Sequence, residues 1–305
     1  MDLERIYEVK TATIHNFERL WMGNYQNIKP VIARSPGVSR LFGRFTGIPA
    51  LVVGAGPSLD KNIHWLDALH GRVIIIAVDT IHRALEMQGV PPTLTVTLDP
   101  QEDIGHFFHG VDTSRRILVA PTIAHPKALG QWKGDVMFYN KFAPDIPALT
   151  RIAQMEPAAG YLIPGGSVLS VGLDLAFRMG APQVAFIGQD LCFPANTPSY
   201  AGGTIYGNSA GVAGQDSGEM VTDSDIFGRN MPTRKNFHVT KQWMEWAFTN
   251  LKRDEGPARF YNCTEGGIVT KNCNIVPLAE WAARFAGEKK NIEWQVKKAL
   301  QKKRK

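Results

Sequence analysis

Cysteine is scarce in this sequence of 305 residues, and long apolar runs are absent. Cys192, Cys263 and Cys273 cannot all pair, and their spacing matches no zinc ribbon, which indicates a reduced, cytoplasmic setting. The longest apolar run, Val73–Val78, is far shorter than the roughly 20 residues needed to cross a bilayer. No basic segment followed by an apolar one begins the chain, so we expect neither a secretory signal nor a transmembrane segment.

An excess of one charge is also missing from most of the chain. The net charge is +6, but residues 287–305 alone hold eight Lys or Arg and two Glu, so the preceding 286 residues are neutral. We therefore expect no basic face of the kind that binds nucleic acid. In the tail, Ile292, Val296 and Leu300 recur at helical spacing, with lysines on the other faces. This pattern predicts a surface helix with a solvated end, and contact with a membrane surface or an acidic partner is the alternative.

Residues 1–45 are predicted to form an N-terminal helical extension. Apolar side chains recur there at i, i+3 and i+4, starting from Phe17. We expect Pro30 and Pro36 to interrupt the helix, because proline lacks the backbone N–H.

Residues 46–286 are predicted to form a Rossmann-like α/β domain. Short, often continuously apolar β runs alternate with helical patterns, as in a mostly parallel sheet covered by helices on both faces. The predicted strands are residues 50–53, 73–77, 94–98, 117–120 and 184–187, and the predicted helices are residues 59–69, 81–88, 168–179 and 237–251. A polar stretch at about residues 193–236 is predicted to be a lid, because loops this long are usually functional or disordered.

Two glycine turns lie just before predicted helices. They are Gly54-Ala-Gly56-Pro57-Ser58 and Gly165-Gly166-Ser167, with Ser58 and Ser167 as predicted N-caps. Glycine lets the backbone approach a ligand, and a helix N-terminus favours phosphate. A third glycine is missing at position 59, and so is the lysine of a P-loop, which disfavours a dinucleotide or a standard nucleoside triphosphatase site. Turns or capped helices without any ligand are the alternative.

Polar side chains follow several predicted strands. Asp79 and Asp99 end the second and third strands, and Gln189 and Asp190 follow the strand at 184–187. Ligands of open α/β sheets bind beyond such carboxyl ends. Asp79 and Asp99 are therefore candidates to hold ribose hydroxyls or a metal, and helix capping is the alternative for Asp79.

His238 is the candidate general base, because it opens the helix that follows the predicted lid. The positive end of a helix favours the neutral imidazole that accepts a proton, and a structural role is the alternative. Thr264 and Glu265 lie where a strand runs into a glycine turn, and Glu265 is either an acid/base or a cap. The segment 223–225 spells the D-x-D of many metal-dependent glycosyltransferases, but this tripeptide is common by chance and we predict no metal site.

Four segments, in this order, resemble the motility-associated-factor (Maf) proteins. They are GIPALVVGAGPSLDKN at 47–62, GGSV at 165–168, FIGQDL at 186–191 and NCTEGG at 262–267. This family of flagellin glycosyltransferases is grouped with domain of unknown function 115, also labelled 6-hydroxymethylpterin pyrophosphokinase MptE-like. The resemblance covers about residues 15–285. The Maf core is similar to bacterial sialyltransferases, which have a Rossmann-like fold and a Gly-Pro-Ser-Leu turn for a CMP-sugar.

The resemblance implies an inverting glycosyltransferase. It would move a nonulosonic acid of the sialic, pseudaminic or legionaminic type from a CMP donor to a Ser or Thr hydroxyl of flagellin. His238 would be the base, with Asp190 or Glu265 in reserve. The donor-binding set would be both glycine turns together with Asp79, Asp99, Gln189 and Thr264. Fixed dipoles can stabilise the leaving phosphate, so we expect no obligatory metal.

Two other functions stay open at this point. One is a pyrophosphokinase that uses ATP and Mg²⁺ on a pterin or thiamine hydroxyl. The other is a non-catalytic flagellin-binding protein.

Overall fold

The computed structural model describes residues 3–195, 197–207, 219–253, 256–257 and 259–301, with side chains at 17–195, 197–207, 219–251 and 259–301. The strands in this part of the chain are β1 (Ala50–Val53), β2 (Ile74–Val78), β3 (Leu94–Val96), β4 (Ile117–Pro121), β5 (Asp135–Lys141), β6 (Tyr161–Leu162), β7 (Gln183–Ile187), β8 (Met220–Ser224), β9 (Asn230–Arg234), β10 (Lys252–Arg253), β11 (Gly256–Pro257), β12 (Arg259–Asn262) and β13 (Asn274–Ile275). The α-helices are α1 (Leu3–Arg34), α2 (Leu66–Leu69), α3 (Asp79–Met87), α4 (Pro126–Gln131), α5 (Pro147–Met155), α6 (Val168–Met179), α7 (Lys235–Asn250), α8 (Leu278–Phe285) and α9 (Ile292–Leu300). Short 3-10 helices lie at Val38–Leu41, Pro57–Lys61, Ile63–Trp65, Glu102–Phe108 and Pro157–Ala159.

Nine strands form one sheet, in the order β13-β12-β7-β1-β2-β3-β4-β5-β6. Every neighbouring pair in it is parallel. The pairs β8–β9 and β10–β11 are separate antiparallel hairpins. The predicted α/β fold with a mostly parallel sheet is therefore confirmed.

The chain changes its direction of travel across the sheet at β1. It runs outward from β1 to β6, and α6 then carries it back to β7 on the other side of β1. Both α3 and α6 pack on β2 and β3, and right-handed crossovers in opposite directions place these two helices on opposite faces. The carboxyl ends of β1 and β7 consequently border the kind of crevice in which open α/β sheets bind ligands.

The central strands are continuously apolar because both of their faces are covered. Every residue of β1 and β2 is buried. Helix α6 comes closest at Gly172, where an added Cβ would lie 2.7 Å from Cγ1 of Val52. A second cluster of buried side chains, from α1, α4, α5 and Glu102–Phe108, packs on β4 and β5. The packed core therefore fixes the positions of the strands whose ends border the crevice.

Helix α1 continues through Pro30, so the predicted interruption at this proline is wrong. The missing N–H costs one hydrogen bond near the end of the helix. Ile28 and Ile32, one turn apart on either side of Pro30, are both buried, and their burial offsets that cost. The helix ends at Arg34, two residues before Pro36.

The predicted helix over residues 59–69 is also wrong. Two 3-10 helices and the single turn α2 replace it. Ser58 lies inside the 3-10 helix Pro57–Lys61, whose N-cap is Gly56, so Ser58 is not an N-cap. Its hydroxyl donates instead to the carboxylate of Asp190, 2.7 Å away.

Part of the predicted lid is a β-hairpin rather than a loop. Strands β8 and β9 pair over their full length. In the turn between them, Oδ1 of Asp225 accepts from the amides of Phe227 and Arg229, and Gly228 has a φ of +76°. Within the predicted lid, residues 196 and 208–218 lie outside the described residues.

The C-terminal helix α9 packs on the body of the protein. Ile292, Val296 and Ala299 are buried, and Leu300 is half-buried. Residues 302–305 of the tail lie outside the described residues. None of the helices in the described part of the chain combines the length and the apolar character needed to cross a membrane.

Candidate functional site

An open cavity of about 190 Å³ lies between the carboxyl ends of β1 and β7. Its walls are Gly54–Pro57 after β1, Ser167–Leu169 at the start of α6 and Gly188–Phe193 after β7. Arg234 and Phe237 line it from the start of α7. The structure thus brings the turn at 54–58 and the helix start at 167 to one cavity at the crevice that the topology creates.

The glycines of the first turn are needed for close packing of the backbone. A Cβ added at Gly54 would overlap the carbonyl oxygen of Gly188, and one added at Gly56 would lie 2.7 Å from that same oxygen. The Gly56 amide donates to it at 2.8 Å. These glycines therefore join the ends of β1 and β7, and they line the cavity together with Ala55 between them and Pro57 after them.

Asp190 is a buried carboxylate at the edge of the cavity. Its Oδ2 accepts from the Ser58 hydroxyl at 2.7 Å and from the Ser58 amide at 3.4 Å. Burial raises the pKa of Asp190 to about 6, although the bonds from Ser58 and the charge of Lys61 act to lower it. A carboxyl that titrates near neutral pH in a cavity is suited to proton transfer.

The start of α6 has the geometry of an anion-binding site, which the glycine turn at 54–58 lacks. Ser167 is its N-cap and accepts from the Ser170 amide, as predicted from the sequence. Val168 and Leu169, in the first turn, line the cavity, and their amides have no acceptor one turn earlier in the helix. The positive end of a helix of 12 residues therefore faces the cavity.

Gly165 and Gly166 do not line this cavity. A Cβ at Gly165 would overlap the ring of Trp243, and one at Gly166 would lie 2.7 Å from Oγ1 of Thr240. Gly166 also has a φ of +91°, which favours glycine. Their role in the structure is to let α7 pack closely against the start of α6.

Arg234 is a site residue that the sequence analysis missed. It lines the cavity, is 8% exposed, and its guanidinium lies 5.1 Å from the ring centre of Phe193 and 5.8 Å from that of Phe237. The two rings stack on each other at 5.7 Å. No local sequence pattern indicated this cluster, because Phe193 lies 41 residues before Arg234 in the sequence.

Gln189 lines the cavity, whereas Asp79 and Asp99 do not. Asp79 is buried and accepts from the Thr80 amide and hydroxyl and from the Thr97 hydroxyl. Burial raises the pKa of Asp79 to about 6, and the charge of Asp99 raises it further, against the bonds from Thr97 and Thr80. Asp79 is the first residue of α3, whose N-cap is Val78, and the amide that Asp79 binds belongs to the first turn of this helix. Its neighbours Val78 and Thr80 are the residues that reach the cavity.

His238 lies beside the cavity, one residue after Phe237, and does not line it. Its Nδ1 is 2.7 Å from Oδ2 of Asp223, and its Nε2 is 3.1 Å from the amide nitrogen of Gln242. Because that amide nitrogen is a donor, Nε2 accepts and Nδ1 carries the proton that Asp223 binds. Lys241 donates to the other oxygen of Asp223 at 2.7 Å. Partial burial acts to raise the pKa of Asp223, but the bonds from Lys241 and His238 hold it below its ordinary value.

The remaining predicted site residues lie elsewhere. Thr264 is fully buried and its amide donates to Asn262, outside the cavity lining. Oε1 of Glu265 accepts from the Leu278 amide at the start of α8, at 3.2 Å. Of the two roles expected for Glu265, acid/base or cap, this contact is that of a cap. In the D-x-D segment, Asp225 binds Arg229, just as Asp223 binds His238 and Lys241. No group of three or more His, Cys, Asp or Glu is arranged for a metal ion in the part of the chain that is described.

Comparison with known proteins identifies the family and the fold of this chain. A model of the family "6-hydroxymethylpterin diphosphokinase MptE-like" matches residues 23–196. The Maf glycosyltransferase of Magnetospirillum magneticum AMB-1 has a similar structure, with a TM-score of 0.60 and 19% sequence identity over 88% of this chain. This chain covers 40% of that longer protein, and at such identity the likeness shows a shared fold. No curated protein matches the sequence significantly. The resemblance found in the four motifs is thereby confirmed.

Proposed function

Since the chain belongs to the 6-hydroxymethylpterin diphosphokinase MptE-like family, and its fold is that of a Maf glycosyltransferase, we propose that it transfers a sugar from a nucleotide donor to a hydroxyl. The observation that carries this proposal is the cavity at the β1–β7 crevice, where an α-helix start, a buried arginine and a buried carboxylate meet. The donor and acceptor proposed below follow the Maf resemblance. They are CMP-linked nonulosonic acid and a Ser or Thr of flagellin.

The donor phosphate is proposed to lie at the start of α6. The amides of Val168 and Leu169 and the helix dipole favour one anionic group there. Arg234, which also lines the cavity, is proposed to provide a second, cationic contact to the phosphate. These groups are in place before the reaction, so they stabilise the negative charge that develops on the leaving phosphate.

His238 is proposed to be the general base, oriented by Asp223. The acceptor hydroxyl would replace the exposed Gln242 amide as the donor to Nε2. Its oxygen attacks the anomeric carbon while the bond from that carbon to the phosphate oxygen breaks. The hydroxyl proton moves to Nε2 and CMP leaves. Attack on the face opposite the phosphate inverts the anomeric configuration. Asp190 is the reserve base, because it lies in the cavity with a raised pKa.

A pyrophosphokinase is the second candidate function, because the family description names a diphosphokinase. That chemistry uses Mg²⁺, which prefers carboxylate oxygens and phosphates. Asp79 does not fit such a site, because its oxygens already accept three hydrogen bonds from Thr80 and Thr97. We therefore propose that no metal is obligatory for transfer.

A binding panel with and without Mg²⁺ separates the candidates. CMP, CDP, UDP, ATP and GTP are titrated while Tm is followed, and CMP-sialic acid is then incubated alone and with a flagellin peptide. We expect a metal-independent Tm shift with CMP, and release of CMP from the donor. A shift with ATP and Mg²⁺ alone, together with diphosphate transfer to hydroxymethylpterin, would establish the diphosphokinase instead. Binding of flagellin without turnover of any donor would establish the non-catalytic alternative.

Two variants assign roles within the site. His238→Ala is expected to keep CMP binding and to lower transfer at least a hundredfold, the scale of a lost general base. His64→Ala, at an exposed histidine on the 3-10 helix Ile63–Trp65, is the matched control and should change neither. Arg234→Gln is expected to weaken CMP binding about tenfold or more, the value of a charge-assisted hydrogen bond. Normal transfer by His238→Ala would move the base role to Asp190.

A further inference from the structure

A strongly basic face lies at the amino-terminal edge of the sheet, opposite the edge that carries the cavity. Its six exposed cations come from the tail and from residues just before β2 and β4. They are Arg72, Arg115, Lys289, Lys290, Lys297 and Lys298. We call these six residues, together with Trp294, the basic face.

Direct contacts hold the parts of this face together. The Lys290 amide donates to the carbonyl oxygen of Gly71 at 2.7 Å, and the Arg72 guanidinium donates to that of Gly287 at 3.0 Å. Arg115 and Lys297 line one small pocket. The cations that are far apart in the sequence therefore form one continuous surface in the fold.

Few acidic groups neutralise this surface. Glu293 is 3.4 Å from His70, and Glu288 is exposed nearby in the sequence. Glu86 is already bound to Arg116, which is not among the six. The exposed carboxylate of Asp112 interacts with the charge of Arg115. Six cations thus face three carboxylates, on a protein whose first 286 residues are neutral overall. The sequence continues with four more cations at 302–305, outside the described residues.

Helix α9 places an aromatic ring among these cations. Its inner side buries Ile292 and Val296, whereas Trp294 is 56% exposed. Lys297 and Lys298 follow at i+3 and i+4 on the same outer side, and the Lys298 ammonium lies 4.8 Å from the Trp294 ring centre. An exposed tryptophan flanked by lysines is typical of segments that lie at a membrane–water interface.

We propose that the basic face binds an anionic lipid surface. The charge complements lipid phosphates, and Trp294 is positioned to enter the headgroup region. Nucleic acid also binds basic faces, but single strands are held by several aromatic rings on which successive bases stack, and Trp294 is the one exposed ring that we include in this face. Because the cavity opens at the other edge of the sheet, a protein bound in this way keeps its site accessible.

Vesicle sedimentation of the full chain tests the proposal. Wild-type protein is mixed with phosphatidylcholine vesicles, with or without 30 mol% phosphatidylglycerol, at low and at high salt. We expect binding to the anionic vesicles only, weakened by salt, because the interaction is screened. Each lysine near the surface contributes about fivefold to binding, so Lys297→Gln with Lys298→Gln should lower it about 25-fold.

The control is Lys127→Gln with Lys271→Gln, at two lysines that are also exposed but follow the carboxyl ends of β4 and β12. It removes the same charge and should bind anionic vesicles like the wild type. Trp294→Ala should weaken vesicle binding severalfold without changing Tm. Binding that is equal on neutral vesicles, or unchanged in the α9 lysine variant or in Trp294→Ala, overturns the proposal. So does tighter binding to an oligonucleotide or a polyglutamate peptide at the same salt.

Discussion

Replacing Gly56 by alanine tests how the candidate cavity is held together. The backbone at Gly56 has a φ of −69°, which alanine adopts without strain, so any effect must come from steric overlap. The new Cβ would overlap Oδ2 of Asp190 and would lie 2.7 Å from the carbonyl oxygen of Gly188. The first group is a side chain that can turn away, but the second is backbone at the end of β7.

Overpacking of this kind costs about 1–3 kcal/mol. For a chain of this length the corresponding fall in Tm is about 2–6 °C. Thermal unfolding of Gly56→Ala is compared with that of Gly130→Ala in α4, where an added Cβ has no neighbour within 4 Å and should not lower Tm. In an Asp190→Ala background the cost should fall, because one of the two overlaps is removed. A Tm for Gly56→Ala within 1 °C of the wild type would refute the packing of the β1 turn on β7.

Ser167→Ala should lower the free energy of unfolding by about 1 kcal/mol in urea titrations, the value of a lost N-cap, and an unchanged value would contradict the cap. Asp190 holds its proton in the folded state up to a pH of about 6, against an ordinary pKa of 3.8, so stability falls as pH rises between about 4 and 6. Asp190→Asn should therefore reduce this fall in urea titrations at pH 4, 5, 6 and 7, and an identical pH dependence would refute the raised pKa. Burial raises the pKa of Cys192 to about 12, so alkylation of this cysteine by iodoacetamide at pH 8, followed by peptide mass spectrometry, should be at least about a hundredfold slower than for a free cysteine. Alkylation at the free rate would show that its part of the cavity is open to water.

Local sequence patterns were sufficient where the burial of an element is uniform along its length. The apolar runs of β1, β2, β4 and β7 predicted strands correctly. A strand that is covered on both faces is apolar at nearly every position, so its sequence is a continuous apolar run. Helix α6 was predicted with its bounds, because its cap and its apolar periodicity agree. The sequence analysis missed β5 and the hairpin β8–β9, because their burial is not uniform. Strand β5 begins with exposed Asp135, and the hairpin is polar.

The sequence by itself determined the α/β class, the glycine turn after β1, the start of α6 and the candidate base on α7, because each depends on neighbours within a few residues. Only the tertiary structure decided which of these groups share a cavity. The sequence left open whether Glu265 would be a cap or an acid/base, and it offered no means to tell that Asp190 would bind Ser58 or that Arg234 would enter the cavity wall. Those contacts join residues up to 132 positions apart. They follow from the strand order, which is set by how the whole core packs rather than by any local pattern.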